Sequence, residues 1–103
     1  MDFNEYQSKT SETAKTNIKG DVFYLTLGLC GEAGEVADKI KKNIRDGELD
    51  INSLALELGD VMWYIAQLCE AYKLNMNDVA EMNIEKLRGR KSRDKIGGSG
   101  DVR

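Results

Sequence analysis

The sequence predicts an all-α protein, with four to five helices in an antiparallel bundle that is completed by oligomerisation. Three observations carry this expectation. Apolar residues recur with the 3.6-residue period of a helix, and no stretch alternates convincingly as a strand would. Proline is absent, and turn chemistry is concentrated at Gly20-Asp21, at Asn43 to Gly47 and at Asn75 to Asp78, which cut the chain into helix-length pieces. A chain of 103 residues buries only a modest core by itself, so assembly with further copies is a natural supplement.

The elements follow in order. A first helix is expected from about Phe3 to Ile18, with an interruption allowed for, and Gly20 and Asp21 then break and recap the chain. The second runs from about Val22 to Ile44 and stops where basic charge is followed by the turn residues Asp46 and Gly47. A third spans about Asn52 or Ser53 to Tyr72, and a fourth about Val79 to Arg90. Residues 1–96 read as one domain, and the glycine-rich remainder, 97–103, as a flexible tail or a lid.

Composition excludes several classes of function. Histidine is absent, which removes imidazole acid/base catalysis, the usual zinc sites and the Glu-x-x-His di-iron bundle. The two cysteines, Cys30 and Cys69, have no metal-like spacing and read as buried, reduced thiols. No segment has the length and apolarity of a membrane span, and the start lacks the features of a signal peptide, so a cytoplasmic protein with no membrane partner is expected. A net charge of −3 gives no general reason to expect polymeric nucleic acid. The charge is uneven, however: Lys86, Arg88, Arg90, Lys91, Arg93 and Lys95 face one acid, Asp94, in the stretch 86–95. That stretch is either a solvated end or a small anion site.

The informative segment is GLCGEAGEV, residues 28–36, which places three glycines and two glutamates inside an otherwise apolar helix. Each interior glycine costs about 1 kcal/mol relative to alanine, and a carboxylate on a buried stripe needs compensation. At 100° per residue, Leu25, Leu29, Glu32, Val36 and Ile40 fall on one stripe with Glu35 on its flank. On the third helix Leu54, Leu58, Val61, Ile65, Leu68 and Tyr72 form the stripe, and Glu57, Asp60 and Tyr64 run along its edge. No lysine or arginine lies between Arg45 and Lys73, so Glu57 and Asp60 have no partner on their own helix. Glu35 has Lys39 four residues on, an ordinary surface pair.

If the two helices are antiparallel, Glu32, Glu35, Glu57 and Asp60 can converge. Four such charges repel, and a divalent cation would resolve the repulsion. Oxygen-only ligation selects a hard ion, Mg2+ first and Mn2+ as a substitute. Mg2+ commonly completes its shell with substrate phosphate, which makes Lys86 and Arg90 intelligible as phosphate partners. The glycines Gly28, Gly31, Gly34 and Gly59 lie beside the acids, where they would allow close approach of a backbone or a nucleotide, or are simply weak points of a packed helix. Paired surface acids on a helical interaction module are the other reading of the same pattern.

These motifs resemble a known family. GEAGEV (31–36) and ELGDVMWY (57–64), with Glu32-x-x-Glu35 and Glu57-x-x-Asp60 separated by 21 residues, together with NEYQ (4–7), IKKN (40–43) and NIEKLRGR (83–90), are similar to the ordered motif set of the MazG-like, all-α nucleoside triphosphate pyrophosphohydrolases. The ending RKSRDKIGGSGDVR is similar to that of a short, single-domain branch, although many relatives carry an aromatic residue and a proline where this chain has RKSRD. The resemblance implies Mg2+-dependent hydrolysis of (deoxy)nucleoside triphosphates to monophosphate and pyrophosphate, in a role such as nucleotide-pool cleansing. It implies Glu32, Glu35, Glu57 and Asp60 as catalytic metal ligands, Lys86 and Arg90 as phosphate contacts, and Asn83 as a nucleotide contact. Tyr64 is a candidate for stacking on base or sugar, with core packing as its alternative; Trp63 is expected in the core or at a subunit interface. The family's members are dimers or dimers of dimers, so a homo-oligomer is implied here. Two other functions stay open: a non-catalytic oligomerisation or regulatory nucleotide-binding module, and a related hydrolase that releases orthophosphate.

Overall fold

The computed structural model describes all 103 residues. It is all-helical: α1 (Phe3–Thr10), a short 3-10 turn (Ser11–Thr13), α2 (Val22–Asp46), α3 (Ile51–Ala71) and α4 (Met76–Ser92) pack as a bundle without strands. No helix is long and apolar enough to cross a membrane.

Side-chain caps set most helix starts. Asp2 accepts from the Glu5 amide at 2.8 Å, and Asp21 from Phe23 and Tyr24 at 3.1 and 3.2 Å. Asp50 accepts from Asn52 and Ser53 at 3.0 and 3.3 Å, and Asn75 from Asp78 at 3.2 Å. Each bond satisfies an amide that the first helical turn would leave unpaired. Gly47 ends α2 in the left-handed region, φ 80°, with its amide bonded to the Asn43 carbonyl, a conformation that costs glycine little.

The first and last helices differ from expectation. α1 stops at Thr10 rather than near Ile18, because hydroxyls there bond locally: Thr10 donates to the Gln7 carbonyl at 2.7 Å and Thr13 to the Thr10 carbonyl at 3.1 Å. Such bonds offer the backbone an alternative to helix continuation. α4 starts at Met76, three residues before the expected Val79, because Asn75 rather than Asp78 is its cap.

The principal layer is α2 against α3, joined by Gly47 to Asp50 and therefore antiparallel. Leu25 of α2 is 1% exposed, and Ala66 and Cys69 of α3 pack with Met76 in a small core. Burial pushes the Cys69 thiol above its usual pKa. Cys30 is exposed, contrary to the expectation of two buried thiols, and neither forms a disulfide. α1 lies against α3 and holds α4. The clamp is polar: buried Gln7 donates to Glu70 and to the Leu74 carbonyl, both at 2.8 Å, and accepts from the Met76 amide at 2.7 Å. Asn4 accepts from the Asn77 amide at 3.2 Å, and Gln67 donates to Thr10 at 2.9 Å. The motif NEYQ thus supplies two of the groups that fix α1 to the α3–α4 junction.

The single chain is open. Its radius of gyration is 16.3 Å, against about 13 Å for a compact domain of this length. Phe23, Leu27 and Ile44 on α2 and Leu56 on α3 are exposed, as are Leu58 and Tyr72 of the expected α3 stripe.

Candidate metal and phosphate site

Glu32 on α2 and Glu57 and Asp60 on α3 meet across the helix pair, each offering a carboxylate oxygen within 4.8 Å of the others. The i, i+3 spacing of Glu57 and Asp60 turns both toward α2, and the antiparallel pairing brings Glu32 level with them. Glu32 and Glu57 are half-buried and Asp60 is exposed. Burial first, then the charges of Asp60, Glu57 and Glu35, holds the Glu32 carboxyl above its usual pKa. A cluster that raises the pKa of its own member is short of positive charge. All-oxygen donors of this kind fit a hard divalent cation, and the residues present are suited to hold one.

Glu35 lies outside the convergent trio, on the exposed side of α2, although its charge reaches Glu32. The Glu35–Lys39 pair expected on this helix does not form; Asp38 instead binds Lys41 at 3.1 Å and Lys42 at 2.8 Å.

Beside the trio is a cleft of about 420 Å3, into which Glu32 and Asp60 project from one side. Tyr24, Trp63 and Tyr64 supply an aromatic wall, and Thr13, Lys15 and Ile18 reach it from the segment between α1 and α2. The Trp63 and Tyr64 rings meet edge to face with centroids 5.0 Å apart, and Tyr24 is 6.4 Å from Tyr64. Burial, followed by the Tyr24 hydroxyl, raises the Tyr64 pKa. Gly28 makes this wall possible, because a Cβ there would collide with the Tyr64 ring. At Gly31, Gly34 and Gly59 a Cβ would meet nothing. Close approach therefore explains one of the four glycines beside the acids.

Sequence reasoning does not single out Lys15 or Tyr24 as cleft residues, and gives Trp63 no part in the cleft. Trp63 lines it and donates its indole N–H to Thr13 at 2.8 Å. Lys15 was absorbed into an overlong first helix. Tyr24 carried a readable signal, since Tyr24, Gly28 and Glu32 are spaced four apart and share one face of α2.

The remaining expected contacts lie elsewhere on the chain. Asn83 and Lys86 of α4 line a second cleft, about 500 Å3, together with Leu74, Met82 and Asp101, and it shares no residue with the acidic cleft. Arg90, 5% exposed at the end of α4, bonds to the tail. One chain thus carries an acidic, aromatic cleft on α2–α3 and a separate, largely apolar cleft on α4 in which Lys86 faces Asp101.

An all-α scaffold that gathers three carboxylates able to hold a metal ion, with Lys86 and Arg90 on a separate helix, defines the class of helical protein to which this chain is compared. The family model of the MazG nucleotide pyrophosphohydrolase domain matches residues 22–93, which span α2, α3 and α4. The chain belongs to this family. It is also similar to the Gene 37 protein of Mycobacterium phage L5, with 43% identity over 114 aligned positions covering all of both chains. No solved structure matches it.

Proposed function

We propose that this protein hydrolyses nucleoside or deoxynucleoside triphosphates to the monophosphate and pyrophosphate, with Mg2+ as its cation and Mn2+ as a substitute. The observation that carries the proposal is the meeting of Glu32, Glu57 and Asp60 beside an aromatic cleft in a chain of this family. Glu32, Glu57 and Asp60 would hold the cation, and Glu35, one turn along α2, is the nearest further ligand on that helix. Bound Mg2+ would neutralise phosphate charge and make a water nucleophilic. One glutamate of the cluster accepts the proton of the attacking water, and attack falls on the α phosphorus. Tyr64, with Tyr24 and Trp63, offers flat surfaces for the base or sugar, and Lys15 offers a cation at the same cleft.

Asn83, Lys86 and Arg90 keep their proposed role as nucleotide and phosphate contacts. Their separation from the carboxylates within one chain supports a homo-oligomer in which α4 of one copy faces the acidic cleft of another. The exposed apolar residues Phe23, Leu27, Ile44 and Leu56 supply the surface that such an assembly would bury. Nucleotide-pool cleansing is the role consistent with this chemistry.

The test is a panel of canonical and modified NTPs and dNTPs, with and without Mg2+, in which pyrophosphate and orthophosphate are assayed separately. Monophosphate and pyrophosphate that form only with metal support the proposal. Orthophosphate release would reassign the cleaved bond, and a folded protein that binds nucleotide without turnover would be a regulatory module.

A further inference from the structure

The stretch 97–103 returns along α4 and places an anion on the two cations that the proposed function assigns to phosphate. Asp101 sits 3.2 Å from the Lys86 ammonium and 3.4 Å from the Arg90 guanidinium. The same Arg90 nitrogen donates to the carbonyls of Gly100 and Asp101 at 3.1 and 2.7 Å.

The pair is asymmetric. The Arg90 side chain is 6% exposed, whereas that of Asp101 is 84% exposed. The Arg90 guanidinium is enclosed, in part by the tail carbonyls that it binds, whereas the Asp101 carboxylate stays open to solvent. Arg90 Nε is buried and has no hydrogen-bond partner, which leaves the guanidinium with unused donor capacity toward an anion that has more acceptor oxygens than a carboxylate.

The segment that delivers Asp101 has its own internal bracing. Arg103 donates to the carbonyls of Lys95 and Gly97 at 3.1 Å and of Ile96 at 2.9 Å, and also to that of Gly100. Gly98 and Gly100 take left-handed backbone angles, φ 101° and 85°, which side chains rarely adopt. Arg93 also ties the stretch to α4, donating to the Arg103 carbonyl at 2.6 Å, so Asp101 and the Arg90-bound carbonyls are the contacts that an incoming anion contests.

We propose that Asp101 is an internal stand-in for phosphate: the tail occupies the Lys86–Arg90 anion site in the free chain, and a polyphosphate ligand must displace it to bind. This rests on the assignment of Lys86 and Arg90 as phosphate contacts. The tail then sets the effective affinity of the site by competition, and its release accompanies substrate entry.

The experiment is calorimetric titration of the full-length protein with inorganic tripolyphosphate in the absence of divalent metal. Wild type is compared with Asp101→Asn and with Asp94→Asn, a control that removes the same charge from an exposed position outside the contact. Asp94 has φ 56°, which asparagine tolerates. Asp101→Asn is expected to bind about fivefold more tightly, the scale of a partly exposed ion pair, with Asp94→Asn within about twofold of wild type. Unchanged or weaker binding by Asp101→Asn, an equal gain in Asp94→Asn, or no binding by any of the three overturns the proposal. Nucleotide turnover, measured separately, distinguishes the two readings. Tighter binding by Asp101→Asn with no pyrophosphate released from any nucleotide leaves the latch standing and removes the hydrolase. Turnover by wild type with binding unchanged in Asp101→Asn does the reverse.

Discussion

Removing one charge from the carboxylate trio should stabilise the metal-free protein and weaken its response to Mg2+. In Glu57→Gln the side chain keeps its size, and two repulsive contacts disappear, with Glu32 and with Asp60, whose oxygens lie within 4.8 Å. At that separation a like-charge pair costs about 1 kcal/mol in a water-like dielectric and several-fold more in a protein-like one. Glu57 is half-buried and Asp60 exposed, so solvent screening favours the lower figure. The net gain on substitution should be about 1 kcal/mol, which is roughly 4–8 °C in Tm for a domain of this size. Mg2+ should raise the Tm of wild type through binding linkage and should raise that of Glu57→Gln much less. Thermal unfolding in EDTA and in millimolar Mg2+, followed by circular dichroism at fixed protein concentration, measures both effects. If Glu57→Gln melts no higher than wild type in EDTA and Mg2+ shifts neither protein, the trio is not a repulsive cation site.

Three further predictions follow from the same geometry. Glu32 has a folded-state pKa above its ordinary 4.5, so the native state holds that proton more tightly than the unfolded chain does. Metal-free wild type should therefore gain stability as pH falls from neutrality toward the ordinary carboxylate value, and lose that gain as pH rises, while Glu32→Gln shows a flatter profile in denaturant titrations over this window. Gly28→Ala places a methyl group against the Tyr64 ring and should cost about 1–2 kcal/mol by overpacking; in a Tyr64→Ala background the same substitution should instead stabilise by about 1 kcal/mol through helix propensity, a sign reversal readable in a double-mutant cycle. Gln7→Ala leaves the Leu74 carbonyl and the Met76 amide without their partner and should cost about 2–3 kcal/mol in denaturant unfolding, several times the cost of Asn4→Ala.

The sequence made much of this architecture readable, for identifiable reasons. α2 is legible to within a few residues because Asp21 and Gly47 are strong terminators with direct hydrogen bonds in the structure, and α3 because its apolar period is long; its cap, Asp50, stands just ahead of the expected start at Asn52 or Ser53. Three of the four expected acids converge because their positions depend on helical spacing and on one short antiparallel connection. Lys15 and the cleft-facing role of Trp63 were not legible. They depend on where α1 stops and how the following segment crosses α3, and that is decided by hydroxyl contacts at Thr10 and Thr13. The separation of Lys86 and Arg90 from the carboxylates was hidden for a similar reason. α4 is oriented by the Gln7 clamp to α1, a tertiary contact with no periodic signature.

The central claim, cation-dependent cleavage between the α and β phosphates, is tested most directly by hydrolysis of a turned-over nucleoside triphosphate in heavy-oxygen water with mass analysis of the products. Attack on the α phosphorus predicts label in the monophosphate, none in pyrophosphate, and no product without Mg2+ or in Glu57→Gln. Label in orthophosphate or in pyrophosphate, or equal turnover with the metal withheld, would contradict the account.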